Sequence, residues 1–314
     1  VGAVPDSLPA ALFHHATVRP EEPWLFSREG WDWPWLPFRA VAGRVALWST
    51  ELAGLPVGCR AAFAAWPGPQ PLALDLALQT AGLISIPLSA DLSGPAFAAA
   101  LDARGAEVWI EPGGSEPREL PAALSRWALS AWSEEGPSGL GGSRSPISPS
   151  PRLPAGSVVL EDGRELTAAD LVAAARALDA LLSPATSARR GREILVSFRP
   201  LADPAERPLL AWATWTGAAL LLESDRATGP ASAVWARPTL FRGDAHDLAV
   251  LRRAASGRRL RWPGRPRLPF GRLRTILMDG DLSREDRDFW EGRGVRLVEM
   301  LDFPSCSAPS APLP

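Results

Sequence analysis

The densest run of charge in this 314-residue chain is GRRLRWPGRPRLPFGRLR, which carries Arg258, Arg259, Arg261, Arg265, Arg267, Arg272 and Arg274 with Trp262 and Phe270 between them. Guanidinium groups interleaved with rings suit single-stranded nucleic acid or a phosphate-rich ligand such as coenzyme A. The formal net charge of -2 adds no wider positive field, so an arginine-rich surface loop is the preferred reading and nucleic acid is not an expected partner. A second candidate is MDGDLSREDRDFWE, where Asp279, Asp281 and Ser283 alternate as in a calcium loop. Arg284 replaces the turn glycine of such a loop and Trp290 its bidentate glutamate. A helix start fits better, with Ser283 as N-cap and Asp286 three residues on.

Other chemistry is sparse. His14, His15 and His246 do not cluster, and neither Cys59 nor Cys306 stands at ligand spacing to a histidine, so no metal site is expected. His14 and His15 are expected on the exposed side of a first helix. No G-x-S-x-G elbow occurs and no pair suggests a nucleophile and its base. Trp31, Trp33 and Trp35 alternate and would share one strand face, a conceivable platform for an acyl chain or sugar, with packing the preferred reading.

The elements that must position any site follow from composition and pattern. A chain of this length, 46% hydrophobic, can bury a sizeable core as two compact units or one large α/β domain. All 33 basic residues are arginine, and lysine, asparagine and tyrosine are absent, the imprint of a GC-rich genome. Arginine cannot replace lysine as a compact cation with a tunable pKa, so chemistry needing a catalytic lysine or tyrosine is excluded within this sequence. Two distant cysteines fit a reduced compartment, and the cytoplasm is the expected location. The start VGAVPDSLPA lacks the features of a signal peptide. The longest apolar run, LLAWATWTGAALLL, is shorter than the roughly 20 residues a membrane span needs.

Between Arg60 and Pro112, four- to six-residue apolar runs alternate with helix-length segments, the pattern of βαβ units around a buried parallel sheet. GWDWPWLPFRAVAGRVALWSTELAGL before it predicts a strand entry and an amphipathic helix from about Pro37. The division expected is a first α/β subdomain over 1–112, a flexible Gly/Ser/Pro-rich connection over 113–153, a second α/β subdomain over 154–300 and a disordered tail over 301–314. Within the connection, PAALSRWALSAW reads as a helix. The second subdomain predicts a helix from TAADLVAAARALDALLS capped by Thr167, then REILVSF, AERPLLAWATWTG, AALLLES, DAHDLAVLRRAAS, LRTILM, SREDRDFWEGRG and VRLVEM as alternating strands and helices.

These segments, in this order, resemble the adenylate-forming (AMP-binding) superfamily, and within it the long-chain acyl-CoA synthetases. SLPAALFHHATVRPEEPWLF is similar to the family's opening helix, RVALWSTELAGLPVGCRAAFAAWPGPQPLALDLALQTAGLISIPLSADLSGPAFAAALDARGAEVWIEP to its first βαβ region, and ILVSFRPLADPAERPLLAWATWTGAALLL and FGRLRTILMDGDLSREDRDFWEGRGVRLVEM to later parts. The resemblance covers most of the chain and implies an α/β fold of parallel-sheet layers with flanking helices. It implies an ancestral activity in which ATP and Mg²⁺ convert a fatty acid to an acyl-adenylate that passes its acyl group to coenzyme A.

The family's signature motifs are degenerate here. Aligned without gaps from LTAADLVAAARAL, the phosphate-cradling motif T-S-G-T-T-G-x-P-K-G falls on Pro154 to Gly163, where Gly156, Ser157 and Gly163 alone match. Asp162 stands in the lysine's place. Two unit charges about 4 Å apart interact by roughly 4 kcal/mol at an effective dielectric near 20, so reversing the sign costs about twice that. The Y-G-x-T-E motif that packs on adenine and reaches Mg²⁺ is replaced by Leu301, Asp302, Phe303, Pro304 and Ser305. The adenine-side turn G-G-A-P-L is reduced to Met278, Asp279, Gly280, Asp281 and Leu282, and the histidine of LPLAHxxER is Asp203. The resemblance also implies a mobile C-terminal domain, bearing the catalytic lysine, that is expected to be missing by truncation.

The expectation is therefore a pseudoenzyme with no catalytic residues and no bound cofactor, retaining Gly156, Ser157 and Gly163 as the remnant of a phosphate loop. ATP, Mg²⁺ and coenzyme A would return as cofactors if the family activity survives. The expected partner is an acyl group or a protein, and exposed sheet edges favour a homo-oligomer. Two alternatives stand beside this reading: an active fatty-acid ligase subunit completed by a partner chain, and a polyanion binder using the arginine-rich stretch.

Overall fold

The computed structural model describes residues 5–27, 34–113, 119–122, 124–131, 156–186, 193–223, 236–256 and 272–300. The elements run α1 (Leu8–Val18), β1 (Pro23–Phe26), β2 (Trp35–Pro37), α2 (Phe38–Leu52), β3 (Arg60–Ala65), α3 (Pro69–Thr80), β4 (Ile84–Ser89), α4 (Gly94–Ala103), β5 (Val108–Gly113), β6 (Ser125–Ala131), β7 (Val158–Val159) and β8 (Glu165–Leu166). They continue with α5 (Ala168–Thr186), β9 (Ile194–Ser197), α6 (Arg207–Thr216), β10 (Ala219–Leu222), β11 (Leu240–Asp244), α7 (Ala245–Ser256), β12 (Thr275–Asp279), α8 (Arg284–Glu291) and β13 (Arg296–Glu299). Thr167 and Asp170 form a reciprocal cap at the start of α5, and the Ser283 hydroxyl accepts from the Asp286 amide at the start of α8. The expected parallel-sheet architecture with flanking helices is present.

Two sheets organise the chain. One has six strands in the order β6-β5-β3-β4-β7-β8, the other seven in the order β13-β12-β11-β9-β10-β1-β2. Every pairing is parallel except β7 with β8 and β1 with β2. A central apolar cluster joins one face of each sheet through α1, α2, α3, α5 and α6, as in Leu12, Trp48, Leu74, Leu178 and Trp212. A second cluster packs α7 and α8 on the far face of the seven-stranded sheet, and a third packs α4 on the far face of the six-stranded one. The result is five layers, α-β-α-β-α. The sheets do not divide the chain at residue 154: β1 and β2 belong to the later strands' sheet, and β7 and β8 complete the earlier one.

Two local expectations are corrected. Within PAALSRWALSAW, read as a helix, Ser125–Ala131 form strand β6, because alternating Trp127 and Leu129 turn inward while the backbone pairs with β5. Tertiary pairing overrides the helix propensity of its alanines and leucines. The opposite edge of β6 is met by side chains of α2: Trp48 Nε1 donates to the Ser130 carbonyl at 3.1 Å, Arg44 to the Ala131 carbonyl at 2.9 Å, and Glu51 accepts from the Ser130 amide at 2.9 Å. His14 is exposed as expected, but His15 is buried, with Nε2 3.1 Å from the Trp215 carbonyl and Arg19 against its other face. Burial and the neighbouring Arg19 charge push its pKa down to about 4. Trp31, Trp33, the tail 301–314 and the glycine- and serine-rich stretch 132–155 lie outside the described residues.

A buried ion pair joins two helices of the central layer. Asp75, set among the leucines of α3, takes Arg207 of α6 in a two-pronged contact at 2.8 and 3.3 Å, and also accepts from Gln79 at 2.9 Å and Ser85 at 2.5 Å. Both charged side chains are almost fully buried. Since a buried charge left alone is far costlier than the pair is favourable, Asp75→Ala or Arg207→Met alone should cost on the order of 3–5 kcal/mol in urea unfolding. The double variant Asp75→Ala with Arg207→Met should lose less than the sum of the two single losses, and strictly additive losses would show that the pair is not coupled.

Candidate site at the strand ends

In the seven-stranded sheet the chain passes from β9 through α6 to β10, then crosses to the other side of β9 to make β11. Helix α6 covers one face of the sheet and α7 the other, so their connections diverge between β9 and β11. In open α/β sheets such a reversal leaves a crevice beyond the strand ends, where ligands are received. Alternation along the strands turns Ser197, Arg242 and Asp279 toward the central helices, as their neighbours Val196, Phe241 and Met278 pack on the outer layer.

An ionic network fills this position. Arg242, fully buried, donates to the Ala205 carbonyl at 2.8 Å and reaches both Asp279 oxygens, at 2.9 and 3.0 Å. Its Nε lies 3.3 Å from Glu206, which is also fully buried. Arg199, just past β9, contacts Asp279 at 2.7 Å and Asp203 at 3.1 Å. Burial raises the Glu206 pKa to about 7, and only partly do Arg242 and the Ser197 hydroxyl oppose that shift. Asp203, where the resemblance implies a histidine, serves as a counter-ion to Arg199. The reduced turn places Met278 and Asp279 at the end of β12 and Gly280 in the left-handed region at φ 79°.

The expected phosphate-loop remnant is elsewhere, on the hairpin of β7 and β8 in the other sheet. Gly156 lies at its foot, where the amide donates to the Gln79 carbonyl at 3.0 Å and a Cβ would fall 1.8 Å from the Leu83 carbonyl oxygen. The Ser157 hydroxyl donates to Glu165, and Glu165 also meets Arg60 at 3.2 Å. Gly163 closes the turn with φ 83° and its amide on the Leu160 carbonyl at 3.0 Å. Asp162 pairs with Arg164 at 2.7 Å, and Arg104 holds the Glu161 carbonyl. These groups satisfy one another, and the residue in the lysine's place is an acid. The hairpin does not fit a triphosphate.

The three expected residues therefore share one hairpin, but only Ser157 and Gly163 stand near its polar turn chemistry, while Gly156 is required by backbone packing. Sequence reading missed Arg199, Glu206 and Arg242 as site residues. A usable signal existed in single charges set within apolar segments, as in LFRGD and ERPLLAWATW, because fully buried charges are rarely unpaired. Of the arginine-rich stretch, only Arg272 and Arg274 are described; Arg272 is exposed and Arg274 stands 3.9 Å from Glu193. Among the described residues no group of acids, histidines and cysteines could hold a metal ion, and no helix is long and apolar enough to cross a membrane.

No family model and no curated protein matches the chain by sequence. Solved structures do match it. A nonribosomal peptide synthetase, FmoA3, superposes with a TM-score of 0.73 at 18% identity, over 95% of this chain and 32% of that one. IdnL1 gives 0.69 at 18% identity, over 94% and 60%. The N-terminal domain of FACL13 from Mycobacterium tuberculosis gives 0.67 at 14% identity, over 93% and 75%. The chain thus has the fold of the N-terminal part of adenylate-forming enzymes. It spans about a third of the length of FmoA3.

Two tests follow. Gly156→Ala should destabilise the fold by about 2 kcal/mol or more in urea unfolding, as expected for a Cβ forced onto backbone; a neutral effect would mean the close approach to Leu83 is not fixed. For Glu206, a carboxyl with a raised folded-state pKa, stability is full below the ordinary value of 4.5 and is lost as pH rises through about 7. The gain of Glu206→Gln over the native chain should therefore grow across that window, to a limit on the order of 3 kcal/mol. For His15, lowered from 6.5 to about 4, the loss occurs as pH falls through that range. His15→Gln should thus show the opposite trend in melting temperature relative to the native chain.

Proposed function

We propose that the chain is a degenerate adenylate-forming domain, related to acyl-CoA synthetases, whose ancestral activity was ATP-dependent activation of a fatty acid through an acyl-adenylate to acyl-CoA. Ligase activity is lost in this reading, and a binding role toward an acyl group or a protein partner in the cytoplasm is retained. The observation that carries it is the self-pairing of polar groups on the hairpin: Ser157 with Glu165, Asp162 with Arg164 and Arg104 with the Glu161 carbonyl. A phosphate loop works through amides, hydroxyls and a cation that are free to turn to the nucleotide. Here the sole hydroxyl of the matched set and the nearby guanidinium groups are engaged, and lysine is absent throughout the sequence.

The fold supports descent from a nucleotide-using ancestor, since one matched FmoA3 structure is an AMPPNP-bound form and another match is a fatty acyl CoA synthetase from Mycobacterium tuberculosis. The deciding measurement is calorimetric titration of the full chain with ATP and Mg²⁺. No saturable binding is expected. Micromolar binding, abolished by Ser157→Ala, would overturn the pseudoenzyme reading in favour of a ligase subunit that works with a partner chain.

A further inference from the structure

The ionic network at the strand ends has a feature that the nucleotide reading does not use: two guanidinium groups converge on one carboxylate. Arg199 from the end of β9 and Arg242 from β11 both donate to Asp279 of β12, at 2.7 Å and at 2.9 and 3.0 Å. We propose that Arg199 and Arg242 form an oxyanion-binding site at this crevice and that Asp279 is its built-in occupant, which an external anion must displace. The inference stands on this geometry and not on the hairpin, so the outcome of the ATP titration does not decide it.

Three observations support an occupant that can leave. First, each guanidinium has a second anchor that stays when Asp279 goes: Asp203 at 3.1 Å for Arg199, and the Ala205 carbonyl at 2.8 Å with Glu206 at 3.3 Å for Arg242. The clamp therefore keeps its orientation without Asp279, and little ordering cost remains for an incoming anion. Second, Arg199 Nε is buried and has no acceptor among the described residues, so the site has a donor that Asp279 does not use. Third, Asp279 is the last residue of its strand and, like Arg199, is partly exposed, whereas Arg242 is fully buried. Gly280 follows in the left-handed region, and a glycine there lets the chain turn without strain.

The charge balance makes the exchange specific for anions. Arg242 is fully buried, and Glu206, whose burial pushes its pKa up to about 7, offsets it only in part. Removing Asp279 leaves a desolvated cation that gains from any oxyanion able to reach it. Planar carboxylates and tetrahedral phosphate share this chemistry, and paired probes tell them apart.

The test compares the full chain with Asp279→Ala and Asp279→Asn in thermal unfolding and calorimetry, using inorganic phosphate and acetate as probes at constant ionic strength. The native chain should respond weakly to both. Asp279→Ala should bind one of them at least about tenfold tighter, with a matching rise in melting temperature, and adding Arg199→Gln should abolish the gain. A folded Asp279→Ala that ignores both anions, or a native chain that binds them equally well, would overturn the proposal. Should both Asp279 variants fail to fold, Asp279 is a structural member rather than a displaceable occupant, and the proposal also fails.

Discussion

The contact between Asp75 and Arg207 links a helix of one sheet to a helix of the other. It is the place where α3, the first crossover of the six-stranded sheet, meets α6, the first crossover of the seven-stranded one, inside a layer that is predominantly apolar. Apolar packing between two helices is non-directional and tolerates sliding. A bidentate guanidinium–carboxylate contact does not, because both prongs must meet their oxygens in one plane. Ser85 on β4 and Gln79 on α3 hold the same carboxylate, tying the register of the first sheet to the helix that leads into the crevice of the second.

Arg207 is also the first residue of α6, directly after Glu206. Two adjacent residues thus serve opposite ends of one arrangement. One faces the central layer and locks the sheets together; the other faces the strand ends and takes part in the network with Arg242. The two ionic arrangements thus lie one peptide unit apart along the chain.

Much of the fold was legible because the apolar runs of the βαβ regions are short, regular and bounded by proline and glycine. RAAFAAW, LISIPL and EVWIEP became adjacent parallel strands, and Thr167 and Ser283 capped the helices that their side chains suggested. Long-range pairing was not legible. Nothing local in PWLF or GSVV indicates that each joins a sheet formed mainly by the other half of the chain, because parallel pairing is decided by contacts far away in sequence. His15 misled for the same reason: its helix buries nearly all of one side and the histidine with it, against a carbonyl two hundred residues on. Family resemblance pointed to the hairpin and, at degenerate motif positions, to Asp203 and Asp279, but the arginines and Glu206 that converge with them carry no motif and come together only through the fold.

Helix α2 lends three side chains to the outer border of β6, and those contacts act as a substitute strand. An amide and two carbonyls that would otherwise invite an extended peptide are already occupied at the final residues of that border. Lateral growth of the six-stranded sheet is blocked there by an insulating rail of Arg44, Trp48 and Glu51, and assembly of copies through that end would first require prising the helix away.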